Sequence, residues 1–85
     1  MEIEILTKDY IDILESYGYV QNNIPEGSTE PSHLLWMLYE LRVNKDMSET
    51  KKHRWLGFIQ GCMIKDGFIK LTEERERTRP ILNGK

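Results

Sequence analysis

The sequence predicts a mainly all-α fold: a small bundle of three to four helices behind a short N-terminal extended arm. Three stretches predict it. Residues 48–67 run from a serine to a glycine with no proline between, which is a helix with its own start and stop. Residues 29–42 are so densely apolar that the pattern covers well over half of a helical wheel. In residues 8–17, Tyr10, Ile13, Leu14 and Tyr17 recur at helical spacing, and Gly18 follows as a left-handed terminator.

The arm comes first. Residues 1–6 alternate apolar and acidic side chains, which suits a short strand or extended segment. Thr7 then stands where an N-cap belongs, and Asp9 falls in the first turn, where the helix dipole favours negative charge. Residues 19–27 hold Asn22, Asn23, Pro25 and Gly27 and read as a long connection, either a crossover or a lid.

Ser28 or Thr29 caps the second helix, with Glu30 and Pro31 in its first turn. Met37, Leu41, Leu34, Leu38, Leu35 and Tyr39 form its apolar arc, and Trp36 lies on the far side with His33 and Glu40. A helix apolar nearly all round is buried nearly all round. A chain of 85 residues buries only about 60–65% of its unfolded surface, so a second subunit is expected to supply the missing cover. Arg42, in the last turn, can snorkel to the helix C-terminus.

After a connector over 43–47, the third helix has Phe58, Cys62, Trp55, Ile59, Met63 and Leu56 as its expected core face. Gly57 and Gly61 lie on the opposite side, and each costs about 1 kcal/mol relative to alanine in a helix interior. Close packing of another helix would explain them, and so would close approach of a flat ligand. Lys51, Lys52, His53 and Arg54 crowd the first turns, at the positive end of the helix dipole. An anion held on the free N–H groups would resolve that repulsion, as would carboxylates from the acidic N-terminal half.

Beyond Gly67, residues 68–71 form a brief apolar step, and Thr72 with Glu73 and Glu74 starts a short fourth helix over 73–78, stopped by Pro80. The competing arrangement is a hairpin over 68–82, the wing of a winged-helix DNA-binding module. Arg75, Arg77 and Arg79 form a second basic cluster suited to phosphates, with Thr78 adding a hydroxyl donor. The structural alternative is a set of i,i+4 ion pairs such as Glu73–Arg77.

Composition narrows the function. Residues 1–41 hold Lys8 against eight acids, and residues 42–85 hold eleven bases against six acids, so the net charge of −2 conceals a split of −7 and +5. The split points to an anionic partner for the second half, or to pairing of the halves between copies. One cysteine, Cys62, excludes an intrachain disulfide, and His33, His53 and Cys62 lack zinc-type spacing, so no metal or other cofactor is expected. The acidic N-terminus does not read as a signal peptide, and no segment reaches the roughly 20 apolar residues of a membrane span. A reduced, cytoplasmic setting is the expectation. No nucleophile–base pair, P-loop, dinucleotide turn or H-E-x-x-H is present, so residues 1–85 are read as a single domain that is not an enzyme.

The runs His33–Leu38 (HLLWML), Arg54–Gly61 (RWLGFIQG) and Glu74–Ile81 (ERERTRPI) resemble small accessory proteins encoded by tailed bacteriophages, over residues 33–81. The resemblance carries no activity; it implies a virus-encoded protein at work in the host cytoplasm. Small phage proteins of this kind commonly counter host defence, and one strategy is to sequester the cyclic-nucleotide alarm signals of CBASS systems. The residues fit such a sponge. Trp36 and Trp55 can stack on bases, while Lys51, Arg54, Arg75, Arg77, Thr78 and Arg79 can hold phosphates. A homo-oligomer could match a two-fold ligand. The alternatives are a protein–protein inhibitor of a host enzyme and the winged-helix module.

Overall fold

The computed structural model describes residues 2–23 and 29–70, and these form three helices and no strand. The order is α1 (Glu2–Ser16), α2 (Pro31–Val43) and α3 (Glu49–Lys65). The described part of the chain is all-α, as its periodicity predicts. The fourth-helix and hairpin alternatives both depend on residues beyond 70 and lie outside the described residues.

The extended arm is replaced by helix. Residues 2–6 are the opening turn and a half of α1. Ile3, Leu6, Tyr10 and Leu14 continue one helical stripe, and the acidic residues between them suit the positive helix end. Thr7 is therefore not a cap. Its buried hydroxyl donates back to the Ile3 carbonyl at 2.7 Å, the i−4 bond open to a threonine within a helix. Gly18 ends the helix as expected, with φ 90° and its N–H on the Glu15 carbonyl. Tyr17, assigned by spacing to the core, falls beyond the last helical residue and is mostly exposed, while Ile11 is buried.

The N-cap position of α2 is Glu30, whose side chain makes no capping bond, and Pro31 opens the helix. Proline at this position forfeits only an N–H that lacks a helical partner anyway. Thr29 lies in the turn before it; Ser28 is outside the described residues. Asn22 donates its N–H to Ser32 at 3.0 Å, which ties the described part of the long connection to the start of α2.

Leu34, Leu35, Met37, Leu38 and Leu41 of α2 are all buried within one chain. This removes the packing argument for a second subunit. Helix α2 is the central element, with α1 and α3 both packed on it. Its core-facing residues meet Leu6, Tyr10, Ile11 and Leu14 of α1 and Leu56, Ile59 and Met63 of α3. Met47, in the connector, is buried as well.

Helix α3 starts and stops where its sequence places it. Ser48 is the N-cap, its Oγ accepting the Lys51 N–H at 3.2 Å. At the other end Gly67 takes φ 82° and donates to Ile64, while Phe68 N–H reaches the Met63 carbonyl. Phe68 then lies edge-on to Tyr17, ring centroids 4.9 Å apart, and to Tyr19, at 5.9 Å, which clasps the end of α3 to the end of α1.

The buried face of α3 differs from the expected one. Leu56, Ile59 and Met63 are buried, Trp55 and Cys62 are half-buried, and Phe58 is 42% exposed. At 100° per residue the buried face sits about 50° round from the apolar arc. The Gln60 side-chain amide donates to the Tyr10 hydroxyl of α1 at 3.2 Å, which marks α1 on the Gln60 side, while α2 lies on the Trp55 side. The core face falls between those two neighbours, and Phe58 turns outward.

Candidate functional site

Two tryptophans distant in sequence meet where α2 and α3 pack. The ring centroids of Trp36 and Trp55 are 6.4 Å apart, with the planes tilted by 38°. The strip extends at both ends. His33, one turn before Trp36, lies 5.5 Å from it at a tilt of 33°. Lys51, one turn before Trp55, holds its ammonium 5.3 Å from the centre of that ring. Helical spacing produces both extensions, because residues three or four apart share a face. The result is a ledge, His33–Trp36–Trp55–Lys51, whose aromatic members are half-buried and whose lysine is exposed.

The indoles rest on the core with part of each ring open, so a flat group can add to the stack. The ammonium over Trp55 is attracted by the ring quadrupole and holds positive charge at the rim. Stacking surface beside a cation is the minimum needed to hold an aromatic anion.

The remaining basic residues at the α3 start are placed differently. Lys52 approaches Glu49 at 3.7 Å, and the Ser48 cap has taken the Lys51 N–H. Part of the repulsion expected at this helix end is thus offset within the chain, and an anion on the helix N-terminus is no longer required to account for it. Arg54 is exposed on a neighbouring stripe, about 100° round the helix from Trp55. Of the expected ligand-binding residues, the structure brings together Lys51, Trp36 and Trp55. Arg75, Arg77, Thr78 and Arg79 lie outside the described residues. His33 is the addition, and its signal was the i,i+3 spacing to Trp36.

Gly57 and Gly61 are exposed, and a Cβ built on either meets nothing within 4 Å. The expectation that a neighbouring helix packs closely on them is not met within the described chain.

Among the described residues no three His, Cys, Asp or Glu side chains gather as metal ligands, and no buried side-chain nitrogen or oxygen lacks a partner. Burial, helped by Asp66, pushes the Cys62 thiol above its ordinary range, which disfavours the nucleophilic thiolate. No helix among the described residues is long and apolar enough to cross a membrane. No family model, curated protein or solved structure matches the chain.

Proposed function

We propose that this protein binds a small anionic nucleotide on the ledge formed by α2 and α3, and holds it without chemistry. The base stacks against Trp36 and Trp55, and Lys51 meets the phosphate. The observation that carries the reading is the meeting of the two indoles, with the Lys51 ammonium over the ring of one of them, Trp55. In the setting implied by the bacteriophage resemblance, such a protein acts stoichiometrically, removing a cyclic-nucleotide alarm signal of the host from circulation. The basic residues of 75–79 would add phosphate contacts.

The two tryptophans of the chain are both on the ledge, so intrinsic fluorescence reports on it directly. Titration with a panel of cyclic dinucleotides and linear mononucleotides should quench or shift the emission, with matching heat in calorimetry. Unchanged emission and no heat at millimolar ligand overturn the reading.

A further inference from the structure

The outer face of α3 borders the ledge: Phe58 follows Lys51 and Trp55 on one stripe, and Arg54, Gly57, Gly61 and Lys65 lie beyond it. Arg54, Gly57, Phe58, Gly61 and Lys65 fall within an arc of about 100° and are all exposed. Phe58 stands at the edge of this arc, about 60° from Gly61 and 100° from Gly57, with 42% of its surface open, and among the described residues nothing lies within 4 Å of a Cβ built on either glycine. The face is thus a shallow basic trough with one aromatic side chain along its edge.

The outer face of α1 is its electrostatic opposite. Glu4, Ile5, Lys8, Asp12 and Glu15 are exposed there, and Ile5 is 63% exposed. On that face Glu4, Asp12 and Glu15 stand against Lys8, a net of −2; Lys8 pairs with Asp12 at 2.9 Å, and Glu15 accepts the Tyr39 hydroxyl. The α3 face carries Arg54 and Lys65, a net of +2. The spacings agree too. Glu4 to Glu15 and Arg54 to Lys65 are each eleven residues, about 16–17 Å of helix.

We infer that the outer face of α3 docks on the outer face of α1 of a second copy of this chain. Both faces turn away from the core of their own chain, so the contact requires two molecules. The glycines let the α1 backbone approach, Phe58 and Ile5 supply apolar cover, and the charges align at the same pitch. Two copies close if the contact is made twice about a two-fold axis; a single contact leaves both outer copies open to further addition. The inference rests on Arg54, Lys65 and the glycines and not on Trp36, Trp55 or Lys51, so it and the nucleotide reading can fail separately.

The test is sedimentation velocity on the full chain. The wild type should rise to at least twice the chain mass as concentration increases, and less steeply in high salt. Two charge-reversed variants, Arg54→Glu with Lys65→Glu and Glu4→Lys with Glu15→Lys, should each stay monomeric while keeping helical circular dichroism. Mixed, they should associate, because the basic α3 of one meets the acidic α1 of the other. Adding Gly61→Gln to both variants should abolish association in the mixture, because charge reversal leaves two complementary contacts and each of them then meets a side chain at the glycine. A wild type that is monomeric up to millimolar concentration overturns the inference. So does a mixture that stays apart, or one that still associates with Gly61→Gln.

Discussion

Replacing Gly57 or Gly61 with alanine should stabilise the folded chain. Both residues are interior to α3, neither has a positive φ, and a new methyl on either meets nothing within 4 Å. The change therefore removes only the conformational freedom that glycine gains on unfolding, about 1 kcal/mol per site. The two sites share no partner in the described chain, so the double variant should gain roughly 2 kcal/mol. For a domain of this size that raises Tm by roughly 8–16 °C, since each kcal/mol is worth about 4–8 °C. Thermal circular dichroism at low protein concentration, where copies do not associate, measures it. Gly67→Ala is the control: the same atoms are added at φ 82°, where a side chain is strained, and Tm should fall by the equivalent of roughly 1–2 kcal/mol. A neutral or lower Tm for Gly57→Ala at low concentration would refute the reasoning, because it would mean that another part of the chain packs against the glycine.

Three further outcomes are expected. The Tyr39 hydroxyl donates to Glu15 at 2.5 Å, and this hydrogen bond, followed by burial and the Glu15 charge, raises the Tyr39 pKa above its ordinary 10.0. The unfolded chain then ionises first, so the stabilisation is complete below pH 10.0 and is lost as pH rises from there through the folded pKa. Tyr39→Phe should lower urea stability at pH 8 and narrow the gap to wild type at strongly alkaline pH. Gln60→Leu should cost about 1 kcal/mol by removing the bond to Tyr10, and Tyr10→Phe with Gln60→Leu together should cost less than the sum of the singles, a coupling that a double-mutant cycle measures. Cys62, with its thiol pushed upward, should react with a thiol reagent near neutral pH more slowly in the folded chain than in urea.

Elements with chemical punctuation were the most legible in the sequence. Ser48 and Gly67 bracket α3, and Gly18 ends α1, because an N-cap oxygen and a left-handed φ are local requirements that only a few residues meet. The start of α1 was not legible, because Ile3-Glu4-Ile5-Leu6 satisfies a strand's alternation and a helix's stripe over so short a run. The orientation of α3 was lost for a related reason. A wheel scored by apolarity treats Gln60 as solvent-facing, but its amide has a tyrosine hydroxyl to meet. The cover of α2 was misjudged by arguing from size alone, since a central helix between two others needs no second chain. The ledge was half legible. Lys51, Trp36 and Trp55 were chosen for their chemistry, but their meeting depends on how α2 and α3 pack, which no local pattern encodes.

The reading of α3 as a helix with two working sides can be tested by comparing Lys51 with Arg54. Both are exposed and both are basic, and the sequence places them in one cluster. If that cluster bound an anion as a unit, their removal should weaken nucleotide binding alike. The structure separates them: Lys51 stands over Trp55, whereas Arg54 faces the glycine trough. Lys51→Ala removes a cation at the rim of the stack, worth about 0.5–2 kcal/mol, which corresponds to roughly 2- to 30-fold in Kd. Arg54→Ala should leave the fluorescence titration within a factor of two at low protein concentration and weaken self-association instead. Equal losses of nucleotide affinity from the two substitutions would relocate the site to the helix start, and the tryptophan ledge would then be part of the packing alone.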